Sequence, residues 1–167
     1  MAPVTTLLIS RDPDLTDKVR SVVATIENLS LSTVDEVSAA YEHGDWSSVA
    51  LVVIHCEHPS HHGEVVRLLR MIQATRRPVA TLVIAEYDDP NHSVTLLQLG
   101  VADYLVKPLD LDHLSYLIDK LSIRFRYGRV AAAEARKPVP AAETPVQSDF
   151  LLDLGLPSLA EHVRRVA

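Results

Sequence analysis

Two short, almost wholly apolar runs constrain this chain more than any other feature: Ala50-Leu51-Val52-Val53-Ile54, and Val79 through Ala85, broken only by Thr81. The first ends at His55 and the second begins after Pro78, and each is too short for a buried helix of ordinary length. Neither shows a polar face. Such runs fit strands buried on both sides, the environment of a parallel sheet covered by helices on each face. The remaining pattern supplies those helices. Val4 to Ile9 is a β-rich run, and Asp12-Pro13 after it offers an N-cap and a first helical residue. Leu15, Val19, Val22, Val23 and Ile26 then share one stripe, which predicts a helix over about 13–28. A weak strand over 31–34 and a short helix over 36–43, ending near Gly44, come next. Val65, Leu68, Leu69 and Ile72 mark a third helix. Asp88-Asp89-Pro90 is a turn and cap before a helix over 91–99, which stops at Gly100. Ala102 to Val106 forms a fifth strand. Asp110 caps a long helix with Leu111, Leu114, Leu117, Ile118, Leu121 and Phe125 on its apolar side. Five strands alternating with five helices predict a doubly wound, five-stranded parallel α/β sheet.

Charge divides the chain. Residues 1–123 are strongly acidic, 124–137 are basic through Arg124, Arg126, Arg129, Arg136 and Lys137, and the whole carries a net −6. This balance argues against direct nucleic-acid binding. The single Cys56 forms no internal disulfide, no apolar run reaches membrane-spanning length, and no signal-peptide pattern opens the chain. These features predict a cytoplasmic protein with no membrane contact. Pro138, Pro140 and Pro145 among small residues predict an extended linker. The expected organisation is a domain over 1–124, a helix extension and Pro/Ala-rich linker over 125–148, and a tail or the start of a downstream domain over 149–167.

Open α/β sheets bind ligands beyond the carboxyl ends of their strands, where the strand order reverses. In a flavodoxin-like arrangement that crevice is lined by Ser10, Arg11 and Asp12 after the first strand and by residues 55–59 after the third. Ala85 ends the fourth strand, and Lys107-Pro108 ends the fifth.

Asp12-Pro13-Asp14-Leu15, Leu51-Val52-Val53-Ile54-His55 with Pro59 four residues on, and Gly100-Val101-Ala102-Asp103-Tyr104-Leu105-Val106-Lys107-Pro108 together resemble a response-regulator receiver domain. The last stretch is the most specific, and the resemblance covers about residues 4–123. It implies a (βα)5 fold with strand order 2-1-3-4-5. It also implies phosphoryl transfer from a histidine kinase to an Asp ending the third strand, assisted by Mg²⁺ on an acidic pair after the first. Carried over position by position, the acceptor place holds His55, the acidic pair falls on Ser10 and Arg11, and the expected Ser or Thr is Ala85. Lys107 and the switch aromatic Tyr104 keep their expected types. The resemblance is therefore to a degenerate receiver that lacks its phosphoacceptor and needs no cofactor.

Three modes of action follow from the residues. The first is signalling by protein contact without Asp phosphorylation, through a homodimer or partner face on the fourth helix, fifth strand and fifth helix, with Tyr104 on that face. The second is metal sensing by His55, Cys56, His58, His61 and His62, whose imidazole and thiolate donors suit Zn²⁺, Ni²⁺ or copper. The third is anion binding between Arg11 and Lys107. Enzyme signatures are absent: no Gly-rich phosphate loop, no nucleophile elbow and no paired carboxylates in the crevice. His92 and His113 are expected at exposed helix positions. The segment Leu156 to Ala167 is similar to the lead-in of the AAA+ domain of sigma-54-type transcription activators. That similarity implies a role in transcription control, with downstream ATPase and DNA-binding domains as partners.

Overall fold

The five β-rich runs all become strands, and they lie parallel in a single sheet. In this computed structural model, which describes residues 3–135, the elements alternate throughout. They are β1 (Val4–Ile9), α1 (Pro13–Ala24), β2 (Leu29–Val34), α2 (Val37–Tyr41), β3 (Val49–Cys56), α3 (His62–Ala74), β4 (Ala80–Ala85), α4 (Pro90–Gln98), β5 (Asp103–Val106) and α5 (Leu111–Ala135). The strand order is β2-β1-β3-β4-β5, the flavodoxin-like order expected. Among the described residues no helix is long and apolar enough to cross a membrane. The linker beyond 135 and the 149–167 tail lie outside the described residues.

The apolar run at 50–54 sits at the centre. β3 pairs with β1 on one side and β4 on the other, and all eight of its residues are buried. Alternation along the strands feeds two cores. Leu7, Ile9, Val52, Ile54 and Val83 face α2, α3 and α4. Leu8, Leu51, Val53, Leu82 and Ile84 face α1 and α5. α1 begins as its sequence dictates, with Asp12 Oδ1 accepting the Asp14 N–H and Pro13 in the first helical turn.

The larger boundary differences from the periodicity fall at α1, β2 and β3. α1 ends at Ala24, because Asn28 takes a left-handed turn (φ 60°) that launches β2 two residues earlier than its apolar pattern suggests. β3 runs two residues past its aliphatic stretch. His55 and Cys56 stay in register with Ile84 and Ala85, so neighbouring backbone decides the boundary and side-chain type does not. Gly100, at φ 93°, stops α4 as expected and sets up the turn into β5.

Candidate functional site

Four strands present their carboxyl ends together, and main-chain hydrogen bonds extend the ladder one residue beyond them. Ser10 N donates to Val34 O (3.0 Å), Glu86 N to Cys56 O (3.2 Å) and Lys107 N to Ala85 O (3.0 Å). Ser10, His55, Glu86 and Lys107 are thus held by backbone at fixed heights above the sheet. Asp12 joins them as the cap of α1.

Their side chains form one connected network. Asp12 N donates to Ser10 Oγ (3.0 Å), and Ser10 Oγ lies 2.9 Å from His55 Nδ1. The other ring nitrogen, Nε2, lies 2.7 Å from Glu86 Oε1. Lys107 Nζ donates to Glu86 Oε1 (2.6 Å) and to Asp12 Oδ2 (2.7 Å). The network assigns the protons. The Glu86 carboxylate can only accept, so Nε2 carries a hydrogen toward it, and in that neutral tautomer Nδ1 accepts the hydroxyl hydrogen of Ser10. The His55 side chain is 1% exposed, with Glu57 Oε1 a more distant 3.4 Å from Nδ1.

The charges settle one another. The hydrogen bond from Lys107 is the main reason both Asp12 and Glu86 titrate below the usual carboxylate range, with His55 also favouring ionised Glu86. Burial works against the Lys107 charge, but the two carboxylates outweigh it and raise the ammonium above its ordinary value.

Ser10, His55 and Glu86 have the connectivity of a nucleophilic relay. Ser10 is buried, however, and its oxygen is engaged by Asp12 N–H, so the chain of bonds braces the strand ends. The residues do not fit Mg²⁺. That ion requires near-octahedral oxygen ligation, and here an imidazole stands at the end of β3 while an ammonium bridges the two carboxylates.

The expected site residues separate into groups. Arg11 and Lys107 do not converge: the Arg11 guanidinium pairs with Glu36 at the exposed rim, and Lys107 turns inward to Asp12 and Glu86. Ala85 is buried and contributes only its carbonyl. Tyr104 lies on β5, half-buried against the α3–α4 core, its hydroxyl 3.4 Å from Tyr87 O.

The His-rich stretch disperses. His58 caps the turn at 59–61 and contacts Ser60, and His61 meets His58 edge-on. His62 stacks on His92. The Cys56 thiol is buried and pushed up to about 11 by burial, so it stays protonated at neutral pH. Among the described residues, only His55 of this stretch enters a group able to offer three ligands, and its companions are Asp12 and Glu86.

His92 departs from its expected exposure. It is buried in the first turn of α4 between His62 and Tyr104, while His113 is exposed as expected.

Glu86 is the crevice residue that the sequence pattern misses. No paired carboxylates are expected in the crevice, whereas Glu86 stands at its centre and shares Lys107 with Asp12. It lies one position past Ala85, where the apolar run ends, and the available signal was an acid directly after a strand that borders the crevice.

Solved structures share this architecture. A response regulator receiver protein from Pseudoalteromonas atlantica superposes with a TM-score of 0.63 at 13% identity, over 70% of this chain and 95% of that one. A response regulator from Thermotoga maritima gives 0.62 at 18% identity, over 71% and 97%. A signal receiver domain from Clostridium thermocellum gives 0.61 at 19%, over 71% and 96%. No family model matches the chain, and no curated protein matches it. The fold is that of receiver domains.

Proposed function

We propose that this chain is an atypical receiver domain of a two-component-type regulator, signalling by protein contact without Asp phosphorylation. The observation that carries the reading is the Lys107 ammonium bridging Asp12 and Glu86 beside a buried His55. An imidazole occupies the place of the acceptor carboxylate, and an internal cation occupies the place of a metal ion. The receiver architecture supports the signalling role.

Output by homodimerisation or partner docking belongs to the α4–β5–α5 face. The two helices that border it expose apolar side chains, Val94 and Leu97 on α4 and Leu111, Tyr116 and Ile123 on α5. The wider context we assign is the regulatory portion of a cytoplasmic transcription regulator with ATPase and DNA-binding domains downstream. Anion capture between Arg11 and Lys107 is disfavoured, because each cation already has its own carboxylates.

The test is incubation of the full chain with acetyl phosphate and Mg²⁺, read by intact mass. Unchanged mass is expected. An adduct with the lability of an acyl phosphate overturns the reading. Sedimentation velocity of the same protein is expected to show a dimer that L97D dissociates.

A further inference from the structure

We propose that Asp12, His55 and Glu86 form a binding site for a borderline divalent cation of the Zn²⁺ class, with Lys107 as its resident competitor. The proposal rests on reading this pocket as one that takes up no phosphoryl group. One ligand atom from each of the three residues lies within 4.8 Å of the other two. Donors around a tetrahedral zinc ion, each at about 2.0–2.2 Å, lie roughly 3.3–3.6 Å apart, so the widest pair must draw in by about 1.2–1.5 Å. Closing the remainder needs side-chain adjustment only, because main-chain bonds fix the ends of β1, β3 and β4.

Two further observations point to a cation. First, a positive charge already sits between the carboxylates, with Lys107 Nζ in contact with both. A divalent ion balances the two carboxylates more completely than a single ammonium does. Second, the far nitrogen of the imidazole is held by Ser10 Oγ at 2.9 Å. When Nε2 binds a metal, the ring proton moves to Nδ1 and donates to that hydroxyl, the supporting contact that orients ligating histidines. The exchange conserves protons: the ring changes tautomer, and Lys107 leaves with its charge. Its side chain is 23% exposed, so a path to solvent exists.

The donor set selects the ion. Nitrogen with two carboxylates suits Zn²⁺, Co²⁺ or Ni²⁺, and does not supply the oxygen octahedron that Mg²⁺ requires. Three protein ligands leave a fourth position for water or for a partner's side chain.

The test is calorimetric titration of the full chain with ZnCl₂ and, separately, MgCl₂, on the unaltered protein and on K107M. One weak Zn²⁺ site and no Mg²⁺ site are expected in the unaltered protein. K107M is expected to bind Zn²⁺ at least about tenfold more tightly, and H55N added to K107M is expected to abolish that gain. Thermal melting shows whether each variant is folded, and K107Q replaces K107M if that variant is not. The proposal is overturned if neither protein binds Zn²⁺, if removing Lys107 leaves affinity unchanged, or if binding survives H55N. Survival after H55N would assign the metal to His58, His61 and His62. Failure here with unchanged mass under acetyl phosphate removes the metal site alone. A phosphoryl adduct removes the functional reading itself.

Discussion

The imidazoles of His62 and His92 lie within 9° of parallel, one at the start of α3 and the other in the first turn of α4. Tyr104 meets His92 edge-on from β5, so three rings join the two helices to the sheet. Burial holds both histidines below the usual imidazole value; His62 also disfavours protonation of His92, His58 and His61 disfavour that of His62, and Asp89 opposes the shift at both.

A pH dependence follows with a defined sign. An unfolded imidazole takes up its proton near 6.5, whereas these two do so only at lower pH in the fold. Between those values the unfolded chain binds more protons, so stability falls as pH drops. Below the folded values both states are protonated and this pair contributes no further loss. Urea unfolding at a series of pH values should show this pair's full contribution above about 6.5 and a decline below it. H92F should flatten the slope, and a slope unchanged by H92F would exclude this source.

Removing the Lys107 ammonium leaves two carboxylates facing each other without their shared cation. K107M should lower the unfolding free energy by about 1–2 kcal/mol, the range for partly buried charged hydrogen bonds. The Arg11–Glu36 pair offers a contrast. Both side chains are more than half exposed, and E36Q should stay within about 0.5 kcal/mol of the parent. Denaturant midpoints compare the two directly, and equal losses would contradict the inward placement of Lys107.

Leu114 is completely buried where α5 packs on the sheet beside Leu82 and Ile84. L114A should cost about 2–5 kcal/mol through lost burial and the cavity it leaves. Leu97, on the exposed side of α4, should lose little when changed to Ala. Calorimetric melting of both variants distinguishes a helix packed through Leu114 from one that is not.

Asp89 caps α4 by accepting the N–H groups of Asn91 and His92. D89A should cost about 1 kcal/mol from the lost cap. It also removes a carboxylate that favours protonation of His62 and His92, so both should titrate lower still, as followed by NMR of the ring protons.

The sequence exposed the sheet more fully than the site, for a physical reason. Strand and helix identity depend on periodic burial, and the apolar runs at 50–54 and 79–85 carry that signal locally. Strand order and the crevice followed from the alternation and from the resemblance. The inward turn of Lys107, the burial of His92 and the central place of Glu86 depend on which side chains meet across 20 to 95 residues of chain. Nothing periodic encodes those meetings. Glu86 and Arg11 show the limit most clearly: Glu86 lies one residue past a position considered for the crevice and enters it, whereas Arg11, itself expected in the crevice, pairs with Glu36 at the rim.

Because Lys107 is part of the same chain as Asp12 and Glu86, it acts as a counter-ion that dilution cannot remove. Its effective concentration at the two carboxylates is set by the covalent path through β5 and does not vary with the medium. Any dissolved ion must exceed that fixed local value before it gains entry. Small fluctuations in a cell's free cation pool would therefore leave the strand ends undisturbed, and only a strongly coordinating ion or a large excursion would register. The lysine gives the pocket a threshold.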